Sequence, residues 1–173
     1  YATVVGSSSR SVFEFLGQND SIREFLDSEE QFLNRDTITA DYLWDYVLKV
    51  FQDDVTNYGA VTERYNSYKL QVSNEGAAYF AVFKGILLLN AFNNVSGENN
   101  NGLVTPSADN IHALFAGTRY DGEVDTALRW FNEQGIIQRA PGGLYSVQFS
   151  ALPSGEIEER KTEMRNVQFR YTE

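Results

Sequence analysis

A hydrolytic metal centre needs several histidine, cysteine or carboxylate ligands at fixed spacing. This chain offers one histidine, His112, and no cysteine. A lone histidine excludes a His-His metal pair, and the lack of cysteine excludes a disulfide framework or a Cys-ligated zinc or iron–sulfur site. Neither the G-x-x-x-x-G-K-S/T nor the G-x-G-x-x-G phosphate cradle occurs. Lys84-Gly85 lies inside an apolar run and lacks the glycines and hydroxyl such a cradle requires. The acidic pairs Glu29-Glu30, Asp53-Asp54 and Glu158-Glu159 are adjacent in sequence. Neighbours on a helix point about 100° apart, so these pairs do not converge on one reaction centre and read as solvated faces. Gly6-Ser7-Ser8-Ser9 and Leu152-Pro153-Ser154-Gly155 have no base placed nearby. On this reading the chain has no catalytic residue, no metal ligand set and no cofactor of its own, and His112 is a partly exposed helix residue.

The elements that would position any site are mostly helices. Ser7-Ser8-Ser9 leads into the apolar turn Arg10-Ser11-Val12-Phe13-Glu14-Phe15-Leu16, closed by Gly17. Asn19 or Asp20 caps a second helix through Ile22, Phe25, Leu26, Phe32 and Leu33. Thr37 or Thr39 starts a third, in which Tyr42, Leu43, Tyr46, Val47, Val50 and Phe51 recur every three or four residues and define one wide apolar face. Trp44 lies off that stripe, placed to pack on a neighbouring element. From about residue 60 to 72, Val61, Tyr65, Tyr68 and Val72 share a face. Residues 1–74 therefore read as a helical bundle or linker region.

From Glu75 to Asn93 the residues are apolar almost all round, the mark of a central buried helix. The strongly apolar run Gly85-Ile86-Leu87-Leu88-Leu89 is far shorter than the ~20 residues of a membrane span, so no membrane partner is expected. A polar Asn/Gly-rich loop follows over 93–102. Thr105-Pro106-Ser107-Ala108-Asp109 then reads as a helix start with Thr105 at the cap and Pro106 in the first helical position. That helix passes Ile111, Leu114 and Phe115 and stops at Gly117. Another begins at Glu123 with Val124, Ala127, Leu128 and Phe131 on its core face, and Gly135 ends it. Ile136-Ile137-Gln138-Arg139 and Leu144-Tyr145-Ser146-Val147-Gln148-Phe149 read as strands joined by Pro141-Gly142-Gly143.

Helix, loop, helix, turn, helix and hairpin is the order of a winged helix-turn-helix. The expected fold is thus mainly α: an N-terminal helical bundle, a winged helix-turn-helix with a small β-hairpin wing over 75–151, and a charged helix with a terminal extended segment over 152–173. Winged helices place the last helix in the DNA major groove, with basic wing residues on phosphates. Here the candidate nucleic-acid contacts are Arg129 and Arg139. Between Leu103 and Ser150 three basic residues stand against five acidic ones, a net of −2, within a chain of net charge −10. Two arginines release few counterions from a duplex. Docking to a protein is therefore the expected role, and nucleic-acid binding the alternative.

Three stretches resemble the region that follows the nucleotide-binding core in large bacterial P-loop, AAA+-like ATPases of the phage-defence and DNA-modification type. Arg10-Ser11-Val12-Phe13-Glu14-Phe15-Leu16 is similar to the R-S/T-hydrophobic-F-x-F-L signature found just after that core. Ile38-Thr39-Ala40-Asp41-Tyr42-Leu43-Trp44-Asp45-Tyr46 is similar to a hydrophobic-T-x-D-x-L-x-D-Y helix start. The third is the apolar helix and winged helix together with Leu152-Pro153-Ser154-Gly155-Glu156-Ile157. The resemblance implies a cytoplasmic parent protein that binds ATP and magnesium elsewhere. This chain would be a non-catalytic lid or transmission module docked on the ATPase core of the same or a partner chain. It also marks Arg10 as the nucleotide-sensing candidate, because Arg10 would stand nearest the core. An opening at Tyr1 without methionine reads as a fragment boundary or a processed N-terminus.

Overall fold

The computed structural model describes residues 37–96 and 102–149. The expected helices between residues 10 and 33, Arg10 itself and the segment 152–173 lie outside the described residues. Five α-helices and a two-stranded antiparallel sheet make up the described fold. They are α1 (Ala40–Asp53), α2 (Val55–Glu75), α3 (Ala77–Ser96), α4 (Ala108–Phe115), α5 (Val124–Glu133), β1 (Ile137–Arg139) and β2 (Tyr145–Val147). A 3-10 turn at Asp121–Glu123 leads into α5.

α1 begins after Thr39, in extended conformation, whose hydroxyl donates to the Asp41 carboxylate instead of accepting a backbone N–H. Of the expected stripe, Tyr46, Val47 and Phe51 are buried, and Trp44 is buried with them. The Trp44 ring reaches Tyr65 of α2, 5.3 Å between centroids, so it packs on the neighbouring helix. Asp54 separates α1 from α2 and caps the latter, accepting from the Asn57 backbone N–H and, at 2.7 Å, from its side-chain amide. The pair Asp53-Asp54 is therefore not merely a solvated face: its second member holds a helix start. With that cap, α2 begins at Val55, about five residues before the periodic apolar positions announce it. Val61, Tyr65, Tyr68 and Val72 are all buried as expected, and Tyr58 joins them.

α3 is the centre. Every residue from Ala81 to Ala91 is buried, and on a helix eleven consecutive buried positions mean cover on all sides. The cover comes from α1, α2, α4, α5 and β2. α3 is also long and apolar enough to cross a membrane, but most of it is buried inside the protein, and a core position accounts for its composition. It continues to Ser96, four residues into the stretch expected to be loop. Its two polar buried residues are both partnered. Lys84 Nζ lies 2.7 Å from Asp45 Oδ2 of α1 and 4.2 Å from the Phe80 ring centroid. Asn90 donates to Ile86 O, 2.8 Å away, and to Tyr145 O of β2.

The start of α4 differs from expectation. Ser107, not Thr105, is the cap and accepts from Asn110 N, and Pro106 stays outside the helix. The reason is tertiary. Pro106 O accepts from Tyr145 N at 2.7 Å, and Ser107 bridges Leu144 antiparallel. The residue before a proline favours extended backbone, so Thr105-Pro106-Ser107 pairs with the hairpin before the chain turns into helix. α5 ends as expected at Gly135, whose φ of +68° is the left-handed conformation glycine adopts freely. Ile136 N donates to Phe131 O and Gly135 N to Asn132 O, the paired bonds of a Schellman cap. That cap delivers Ile136 and Ile137 directly into the core and into β1, which pairs Ile137 with Val147 and Arg139 with Tyr145.

Candidate functional site

α5 and the hairpin jointly form the concave surface that holds both candidate arginines. Asp125, Leu128, Arg129 and Asn132 recur at helical spacing along α5, so they share one of its faces. Arg139 and Tyr145 face each other across the two strands, with the guanidinium 5.8 Å from the tyrosine ring. Ala108, the first residue of α4, closes one end. Together these seven residues line a groove of about 460 Å³. Arg129 and Arg139 are both exposed, and neither guanidinium forms a hydrogen bond or ion pair with a described residue.

The electrostatics are mixed. Asp125 lies in the groove and Glu133 on the exposed surface of the same helix, two carboxylates against two guanidinium groups. Asp125 is also tied to α4, because its Oδ1 lies 3.0 Å from His112 Nε2. That contact joins the two helices at a half-exposed position, so His112 fastens α4 to α5. Asp109, Asp121 and Glu123, all exposed, add negative charge on α4 and ahead of α5. No family model, no curated protein and no solved structure matches this chain. The site must be read from its own geometry.

Sequence reasoning named Arg129 and Arg139 separately, as two contacts on a helix and a wing. The structure puts them around one groove. Asn132 and Tyr145 carry no charge to mark them as site residues in the sequence. Asn132 lies three residues after Arg129 and seven after Asp125, and Tyr145 lies two residues before the core residue Val147, on the same face of β2. Lys84 lies apart from this groove, buried and paired with Asp45. Among the described residues no group of three or more His, Cys, Asp or Glu side chains could hold a metal ion.

A second basic residue is set in an unusual environment. Arg64 of α2 stacks on Phe149, 4.0 Å from ring centroid to guanidinium carbon, and its buried Nε has no hydrogen-bond partner. Desolvation by burial lowers its pKa, against a smaller opposing effect of the Glu63 charge. This stack fastens the end of the hairpin to α2.

Proposed function

We propose that α3 through β2 form a winged helix-turn-helix and that the chain acts as a non-catalytic docking module. The order of elements supports the fold: α3, the extended Ser107 bridge, α4, α5 and the β1–β2 hairpin follow one another as the three helices, short first strand and wing of that architecture. The docking reading is carried by one observation. The exposed surface of α5 and the hairpin sets Asp125 and Glu133 against Arg129 and Arg139, so it has no net positive charge to lay on a phosphate backbone.

The partner we assign is the ATPase core of the same or another chain, in the cytoplasm, with ATP and magnesium bound there. That assignment rests on the motif resemblance, of which Ile38 to Tyr46 forms the start of α1. A second reading, nucleic-acid binding, is favoured by the convergence of Arg129, Arg139 and Asn132 on one groove. Titration of the purified chain with labelled duplex and single-stranded DNA, at low and at near-physiological salt, separates the two. Docking predicts no salt-sensitive binding. Tight binding that falls steeply with salt and disappears in Arg129→Glu/Arg139→Glu would replace it with the nucleic-acid reading.

A further inference from the structure

The groove itself points to the chemistry of the partner, granted the docking reading above. We propose that it receives an acidic segment of a partner protein, with a side-chain carboxylate held between Arg129 and Arg139. Three features of the page lead there. First, eleven acidic residues lie among the described residues, so carboxylates are at hand. Even so, these two guanidinium groups have no described ion-pair partner and line the same groove. Guanidinium groups bind carboxylates through paired, charge-assisted hydrogen bonds and lose less hydration than ammonium groups in doing so.

Second, the groove holds about 460 Å³, room for a few side chains. Third, its remaining lining suits a peptide. Leu128 and the Tyr145 ring offer apolar contact beside the arginines, and the Asn132 amide can both donate to and accept from a peptide backbone. Asp125 in the same lining, whose Oδ1 faces His112, can accept a backbone N–H through its other carboxylate oxygen. Charge complementarity thus selects a segment with one or two carboxylates next to an apolar side chain.

The test is selection of a phage-displayed random dodecapeptide library on the immobilised 173-residue chain. The consensus is then synthesised with a fluorescein label and measured by anisotropy. The expected result is an enriched sequence containing Asp or Glu beside an apolar residue. Its affinity falls at least tenfold in Arg129→Glu/Arg139→Glu and by less in Arg129→Lys/Arg139→Lys. Both arginines are exposed, so circular dichroism and melting of these variants should match the parent chain, and a variant that melts early is replaced by the single substitutions. Enrichment of sequences without carboxylates, or no enrichment, overturns the proposal. Enriched peptides that bind the charge-reversed variant equally well show docking at another surface, so the groove assignment fails while the docking reading stands. Labelled duplex DNA that binds the groove in place of peptide, with loss in the charge-reversed variant, overturns both.

Discussion

Around α1 and α2 the protein is held by large rings: Phe51 stacks on Tyr58 at 4.2 Å, Trp44 meets Tyr65, and Tyr68 meets Phe83 edge-on. Around α4 and α5 the helices have only 8 and 10 residues, too short to persist alone in water. They depend on end devices, the Ser107 cap and the Schellman turn at Gly135, and on ties to their neighbours, the Asn90 bond to the hairpin and the His112–Asp125 contact. The first region spends its side chains on packing. The second packs rings as well, Tyr79 against Trp130 and Phe83 against Phe131, and also carries the exposed Arg129 and Arg139 that line the groove. Both regions belong to one core, with α3 common to both.

The largest effect should come from the ring that both regions share. Phe83 is fully buried and touches Tyr68 on one hand and Phe131, 6.0 Å away, on the other. Phe83→Ala should cost about 3–5 kcal/mol. The two tryptophans, Trp44 and Trp130, report separately on the two regions. In urea titrations of the Trp44→Phe and Trp130→Phe backgrounds, both fluorescence transitions should shift together. Transitions that part would mean two independent units and would undo the picture of a common core.

Next in size is the Lys84–Asp45 pair, which joins α3 to α1. Removing Asp45 leaves a buried ammonium with the Phe80 ring face but no counter-charge. The cost of breaking a fully buried pair is about 3–5 kcal/mol, and the 47% exposure of the Asp45 side chain reduces it, so Asp45→Ala should cost about 1–2 kcal/mol. Lys84→Met, which removes the buried charge itself, should be neutral or stabilising by denaturant titration. A larger loss in Lys84→Met than in Asp45→Ala would show that the lysine is held for something other than that pair.

Asn90→Ala sharpens the contrast from the other side. Its amide links α3 to Tyr145 O, and its loss should cost about 1 kcal/mol. Amide hydrogen exchange should quicken in β1 and β2 and leave α1 and α2 unchanged. Uniform quickening would count against a separately held hairpin.

The smallest effect is alkaline. Burial raises the phenol pKa of Tyr58, Tyr65 and Tyr68 above the ordinary 10.0, with the charges of Asp54 and Asp45 adding to it at Tyr58 and Tyr65. A group whose folded pKa is raised stabilises the fold fully below its unfolded pKa. That contribution is lost as pH climbs from about 10 through the folded value, because the unfolded chain releases its protons first. Melting temperature should therefore fall above pH 10, and less steeply in Tyr68→Phe. All three phenols belong to α2, so hydrogen exchange should show the loss there first.

Helix content was legible wherever periodicity was strong. The four expected positions of α2, Val61, Tyr65, Tyr68 and Val72, and the four buried ones of α5 stand where their spacing puts them, and the all-round apolarity of α3 marks it as central. Element ends were less legible. α2 begins early because Asp54 caps it, and α4 begins late because the hairpin takes Pro106 and Ser107 into extended pairing. Of the groove, the two arginines can be named from charge alone, while Asn132 and Tyr145 need the arrangement of helix and hairpin to acquire meaning.

By itself, then, the sequence determined that the described segments from Ala40 to Phe92 are helical, which side of α2 and α5 is apolar, and that positive charge in the second region is scarce, because these follow from local spacing and composition. Only the tertiary structure decided that Arg129 and Arg139 flank a single groove, that Lys84 is satisfied by Asp45, and that Ser107 is the cap. Each of these joins residues on different elements. Such contacts depend on how helices and strands meet, which no local periodicity encodes.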